Sequence, residues 1–103
     1  MPTRDDIKRA VCETIDRQSE KIVKVGETIR KNPELGFKEF KTSRLVEETM
    51  REIGLDPKGG LAVTGVRGVA RGKSDGPTFA LLGELDGLVV AGHPVADPAT
   101  GAA

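Results

Sequence analysis

Ile7, Val11, Ile15, Ile22, Val25 and Ile29 follow one another at steps of 4, 4, 7, 3 and 4, which lines them along one face of a helix. Charges of both signs fill the remaining positions, the pattern of a solvated surface. Thr3 with Asp6 three residues later has the form of a capping box, although Asp is shorter than the usual Glu. Pro33 ends this run, because the residue before a proline is pushed out of the helical region. A second helix is predicted from about Glu39 to Ile53, with Leu45, Val46, Met50 and Ile53 on its inner side. Gly54 stands where a left-handed cap residue is favoured, and Leu55 can pack back on the last turn.

From there the period changes. "DPKGG", residues 56–60, reads as a turn. "LAVTGVRG" and "VARG" are β-compatible segments around Gly65 and Gly68, which predicts a hairpin with a bulge. "KSDGP" is a second turn, and "TFALLGE" then runs six residues without a charge, as a strand buried on both faces does. The closing "AGHPVADPATGAA" has no periodic apolar face and reads as a loop. These elements predict an α/β chain: two N-terminal helices followed by the first strands of a sheet. So few elements leave the apolar strand short of neighbours and the sheet with an open edge. The domain is expected to be incomplete.

Composition narrows the picture. A length of 103 residues suits one small domain. Lys plus Arg and Asp plus Glu each total 16, so no net basicity points to nucleic acid or an anionic membrane. A hydrophobic content of 37% with three Phe, no Trp and no Tyr predicts a thin aliphatic core. Cys12 stands alone, which excludes an internal disulfide framework and a cysteine-rich zinc site, and it reads as a small helix residue. The opening "MPTRDDIKRA" lacks the apolar centre of a signal peptide, and no apolar run reaches the ~20 residues of a membrane span. The expectation is a soluble, cytoplasmic chain.

Five residues are candidates for chemistry: Glu84, Asp86, His93 and the turn carboxylates Glu34 and Asp97. Glu84 and Asp86 follow the apolar strand at its carboxyl end, where α/β proteins place their sites. Spaced two apart on a strand they face one way, and burying both requires a positive partner. They could hold a metal, orient a ligand or share a proton, or they could be a solvated strand end. His93 is the single histidine, and one histidine without a nearby cysteine does not supply the three or four ligands of a metal site. There is no G-x-S-x-G elbow and no phosphate-binding glycine loop.

As a set, the motifs resemble a known family. "NPELGFKEFKTS", residues 32–43, is similar to a signature near the start of metal-dependent amidohydrolases, the group of aminoacylases, indole-acetyl-amino-acid hydrolases and p-aminobenzoyl-glutamate hydrolase-like enzymes. The "TGVRG" turn, "GPTFALLGELDGL" and "HPVADPATGAA" follow in that family's order, so the resemblance covers about residues 15–103. It implies a zinc-peptidase-like mixed sheet, with residues 1–103 as the N-terminal portion of the catalytic domain and without the dimerising lid domain. It implies hydrolysis of an amide bond in a small N-acyl amino acid or aminoacyl conjugate, by water activated on a divalent metal (zinc or manganese), in a homo-oligomer. Asp86 corresponds to the strand-end aspartate of the family's "(A/G)-(D/E)-x-D-(A/G)-L" motif, with a role in supporting the metal centre from behind its ligands. Glu84 matches that motif's first acidic position.

In the family a segment such as "ATGAA" is followed by a His-Ala-Cys-Gly-His motif that supplies the first metal ligands, and here that segment lies at the end of the chain. The expectation is therefore an N-terminal piece of an amidohydrolase, inactive by itself and binding no metal alone. The competing expectation is a self-contained, non-catalytic α/β module that binds a protein partner through its open sheet edge.

Overall fold

The computed structural model describes residues 1–102. The elements run α1 (Arg4–Arg17), α2 (Ser19–Lys31), α3 (Phe40–Glu52), β1 (Lys58–Leu61) and β2 (Gly65–Arg67). Thr3 opens α1 with the expected capping box: its hydroxyl accepts the Asp6 N–H at 3.1 Å and its own N–H donates to Asp6 Oδ2 at 2.9 Å. The Thr3 N–H bonded to the carboxylate, with the Thr3 hydroxyl beside it, holds the Asp6 carboxyl below its ordinary value.

The long first helix is divided at Gln18, which closes α1 and opens α2. The two halves have different surroundings. Along α1 every residue is exposed, including Ile7, Val11 and Ile15. In α2, Val25, Glu27 and Ile29 are half-buried, and Lys21 Nζ pairs with Glu52 Oε2 of α3 at 3.0 Å. Helix stability in proteins comes mostly from packing of the apolar face, so a half without a partner has nothing to keep it collinear with one that has.

At its far end α3 closes as Gly54 and Leu55 predict. Gly54 has φ 88°, its N–H donates to Arg51 O at 3.1 Å, and the Leu55 N–H reaches Met50 O at 2.9 Å. That pair of bonds is the Schellman motif. Of the four residues expected on the inner side of α3, Leu45, Val46 and Met50 are half-buried, whereas Ile53 is 62% exposed because the chain reverses at Gly54 directly after it. The buried residue of α3 is polar, Thr42.

β1 and β2 pair antiparallel, Lys58 opposite Arg67 and Leu61 opposite Gly65, with an irregular register between. A hairpin forms, but not between the expected segments: Lys58–Leu61, which starts inside the expected "DPKGG" turn, pairs with Gly65–Arg67 through a turn at 62–64, and "VARG", residues 69–72, forms no strand. Ala62 (φ 45°) and Val63 (φ 80°) hold the left-handed turn. Neither residue type favours that region, and a β-branched residue there is an outlier. Helix α3 packs across both strands. Gly68 lets it approach: a Cβ there would stand 3.1 Å from Met50 Sδ and 3.2 Å from Leu55 Cδ1.

The expected buried strand at 78–84 is not formed. The segment is irregular and pairs with no described strand, and Phe79, Leu81 and Leu82 are 86%, 101% and 97% exposed. Apolar, β-favouring composition stabilises a strand only when neighbours accept its hydrogen bonds and cover its faces, and the two-stranded sheet of residues 58–67 does not extend to it. The closing loop is instead organised by turns. Asp97 N–H donates to Ala102 O at 2.7 Å, Gly101 N–H to Asp97 O at 2.8 Å and Val90 N–H to Gly101 O at 3.1 Å. Gly101 (φ 72°) sits where a Cβ would meet Val89 Cγ1 at 2.5 Å. No helix among the described residues is long and apolar enough to cross a membrane.

The N-terminus of α3 carries a cap that no local pattern announces. Glu34, seven and eight residues upstream, accepts the Lys41 N–H on Oε2 at 3.1 Å and the Thr42 N–H and hydroxyl on Oε1 at 2.6 and 2.8 Å. Partial burial works against the charge on this carboxylate, but the Thr42 and Lys41 bonds outweigh it and hold the carboxyl below its ordinary value. A group whose pKa is lowered by folding contributes stability above its unfolded value, near 4.5, and loses it as pH falls through the lower folded value. Comparing urea midpoints of the parent and Glu34→Gln between pH 7 and 3 should therefore show a gap that is full above the unfolded value and shrinks toward the acid end. A gap independent of pH would contradict the charged cap. Val63→Asn, which relieves the turn at an exposed position, should raise stability by about 0.5 to 1 kcal/mol in the same assay.

Candidate functional site

The structure places the two motifs singled out in the sequence against each other. Glu34 lies in the loop between α2 and α3, fixed by the three bonds its carboxylate makes to the first turn of α3. Its backbone carbonyl accepts the Gly87 N–H at 2.8 Å. Pro33 packs on the same glycine so closely that a Cβ on Gly87 would stand 3.0 Å from Pro33 Cβ and 3.4 Å from Pro33 Cα. The "PEL" loop and the "LDG" turn thus meet in a tight contact that a side chain at position 87 would have to push apart by a few tenths of an ångström, and Asp86 is the residue just before it.

A second carboxylate marks the other side of the α3 N-terminus. Glu39, the residue preceding the helix, is 8% exposed, and its Oε2 accepts the Thr64 hydroxyl at 3.1 Å. Thr64 is itself buried and closes the hairpin turn, so Glu39 ties the hairpin to the helix. Its Oε1 is buried with no hydrogen-bond partner among the described residues. A buried acceptor left open is costly and is normally met by a donor. The local sequence marks Glu39 only as the start of a helix, and its place within "NPELGFKEFKTS" is the one signal of a further role.

The five candidates do not assemble into one centre. Glu84 and Asp86 are both exposed, and the side chain of neither makes a hydrogen bond among the described residues. His93 is exposed in a turn, where its Nδ1 accepts the Val95 N–H at 3.2 Å. Asp97 Oδ1 accepts the N–H groups of Ala99 and Thr100 at 2.8 and 3.3 Å, which makes it a turn former. Glu34 is a helix cap. Cys12 is an exposed free thiol on α1, not a packed residue, because α1 has no partner face.

A divalent metal of the kind the resemblance implies does not fit these residues. Among the described residues no three His, Cys, Asp or Glu side chains come together as ligands. What the arrangement does supply is a loop-to-turn contact at the residue after Asp86, beside a hairpin tied to α3 by Glu39.

Comparison with known proteins gives this geometry a setting. Over 70 residues, 67% of this chain, it is 41% identical to thermostable carboxypeptidase 2 of Saccharolobus solfataricus, covering 18% of that protein. Over 69 residues, 67% of the chain, it is 36% identical to the IAA-amino acid hydrolase ILR1-like 2 of Arabidopsis thaliana, covering 16% of it. Over 78 residues, 76% of the chain, it is 34% identical to hippurate hydrolase of Campylobacter jejuni, covering 20% of it. No family model and no solved structure matches. The chain spans about a fifth of the length of the curated relatives it matches. Over the matched stretch it belongs to the amidohydrolase family of these carboxypeptidases, IAA-amino acid hydrolases and hippurate hydrolase, and corresponds to the N-terminal part of its members.

Proposed function

We propose that these residues form the N-terminal part of the catalytic domain of an amide-bond hydrolase acting on small N-acyl or N-aminoacyl amino acids. The observation that supports this most is the similarity itself: one stretch of about 70 residues is shared with hydrolases named for peptide, auxin-conjugate and hippurate substrates. All three names describe cleavage of an amide bond beside an amino acid. The reaction needs an activated water, which a divalent metal, zinc or manganese, supplies in such hydrolases. That metal needs ligands beyond those described here, so no step of the reaction is assigned to it from these residues.

What this chain contributes is scaffolding for the site. Asp86 stands at the end of the apolar segment, and the Gly87–Glu34 bond fixes its backbone. Its role in this reading is to support the metal centre from behind the ligands, with Glu84 as a weaker candidate beside it. The homo-oligomer, the cytoplasmic location and the N-acyl amino-acid substrate belong to the same reading.

The alternative, a non-catalytic interaction module, draws on the exposed apolar segment at Phe79–Leu82. It offers no reason for the ordered similarity to three kinds of hydrolase, and the enzyme reading is preferred on that ground.

A chimera tests the proposal. These residues replace the matching stretch of the Saccharolobus carboxypeptidase, and cleavage of N-acyl amino acids is followed with and without added zinc or manganese. The chimera should hydrolyse such substrates in a metal-dependent way, and Asp86→Ala should lower kcat/KM by about 10- to 100-fold. The isolated 103-residue chain should show neither stoichiometric metal binding nor cleavage. A folded chimera without activity, or one in which Asp86→Ala changes nothing, would overturn the respective part of the proposal.

A further inference from the structure

Glu34 is bonded in two directions. Its side chain holds the first turn of α3 through Lys41 N–H, Thr42 N–H and the Thr42 hydroxyl. Its main chain holds the Asp86–Gly87 turn through the 2.8 Å bond from Gly87 N–H. Pro33, the residue before it, closes on Gly87 from the same side, so that a Cβ there would crowd the proline ring at 3.0 Å. Among the described residues, the Gly87–Glu34 bond is the one backbone hydrogen bond joining residues 77–102 to anything earlier in the chain. The other backbone bonds of that region are internal turns, such as His93 N–H to Val90 O and Val90 N–H to Gly101 O.

A residue clamped by its carboxylate to a helix and by its carbonyl to a turn transmits position from one to the other. We infer that Glu34 is a positioning residue for Asp86: by fastening the loop to the N-terminus of α3 it sets where the Asp86–Gly87 turn stands. The glutamate of "NPELGF" thereby has a task beyond helix capping, and Gly87, whose N–H reaches its carbonyl, is the counterpart. The inference rests on the proposed function only for what Asp86 does; the coupling between Glu34 and the turn is a property of this chain.

Amide hydrogen exchange by NMR on the full 103-residue chain tests it, with Glu34→Ala, Glu34→Gln and Gly87→Ala as variants. In the parent the Gly87 amide should be protected relative to that of Gly76, an exposed glycine in an irregular segment. Glu34→Ala should lower protection at Thr42 and at Gly87 together, each by about fivefold or more, the equivalent of one lost cap. The Leu55 amide, at the other end of α3, should keep its protection. Glu34→Gln, which retains one acceptor oxygen for Thr42, should recover part of the loss at both sites. That joint recovery is a signature that general weakening of the fold does not produce.

Unchanged protection at Gly87 when Thr42 has lost its own would overturn the inference, as would a Gly87 amide that exchanges freely in the parent. If Glu34→Ala unfolds the chain, seen as lost protection at Leu55, Gly87→Ala decides. It should shift the Lys41 and Thr42 amide resonances, and unchanged resonances would refute the coupling. These outcomes are independent of the proposed reaction: an Asp86→Ala chimera of full activity would remove the role of Asp86 and leave the exchange result standing.

Discussion

The first turn of a helix presents backbone N–H groups that have no partner within it, and in α3 two of them are met by a carboxylate from outside the local sequence. Glu34 brings a negative charge to the positive end of the helix dipole and accepts the Lys41 and Thr42 N–H groups, with the Thr42 hydroxyl adding a third bond. This anchors the loop after α2, and with it Pro33 and the Glu34 carbonyl on which Gly87 rests. Glu39 does the corresponding work on the other side, holding the hairpin turn through Thr64. The N-terminus of α3 is thus where helix, hairpin and the Asp86 turn meet, and polar contacts rather than apolar burial set their arrangement.

Apolar burial could not have set it, because there is little. The chain exposes 8858 Å², where a compact protein of this length exposes about 5,600 Å². Its radius of gyration is 16.7 Å against about 13 Å for a compact domain. The excess lies on α1 and on the segment from Phe79 to Val90, whose Leu81 and Leu82 side chains are almost entirely open. With Ala102 as the buried hydrophobic residue of the described chain, hydrogen-bonded contacts such as Glu34–Thr42 and Glu39–Thr64 carry a larger share of its order.

The helices were legible because their signals are local. Heptad-like spacing from Ile7 to Ile29, the Thr3–Asp6 pair and Gly54 each act within a few residues, and the capping pair and the Gly54 stop took the expected form. The exception is the break at Gln18, which follows from the different neighbours of α1 and α2 and leaves the apolar spacing intact. A hairpin was legible after α3, but its strands and turn were not, because the turn uses Ala62 and Val63, residues that rarely mark a left-handed turn, and "VARG" forms no strand. "TFALLGE" was read as a strand from a composition that describes its environment within a sheet, and no described strand lies beside it. The Glu34 cap was out of reach for a different reason. Its partners lie seven and eight residues away, beyond the three-residue spacing of a capping box, and its tie to Gly87 spans more than fifty positions. Only the similarity of "NPELGF" and "GELDG" to one family hinted that the two belonged together.

Whether Glu34 and Gly87 act as one unit is measured most directly by a double-mutant cycle. The unfolding free energies of the parent, Glu34→Gln, Gly87→Ala and the double variant are determined by urea denaturation at neutral pH. If Glu34 holds the Gly87 turn, the effects should be non-additive, with a coupling of about 0.5 kcal/mol or more, since the second change acts on a contact already loosened. Additive effects would show that the cap of α3 and the Asp86–Gly87 turn are independent features, and would contradict the account.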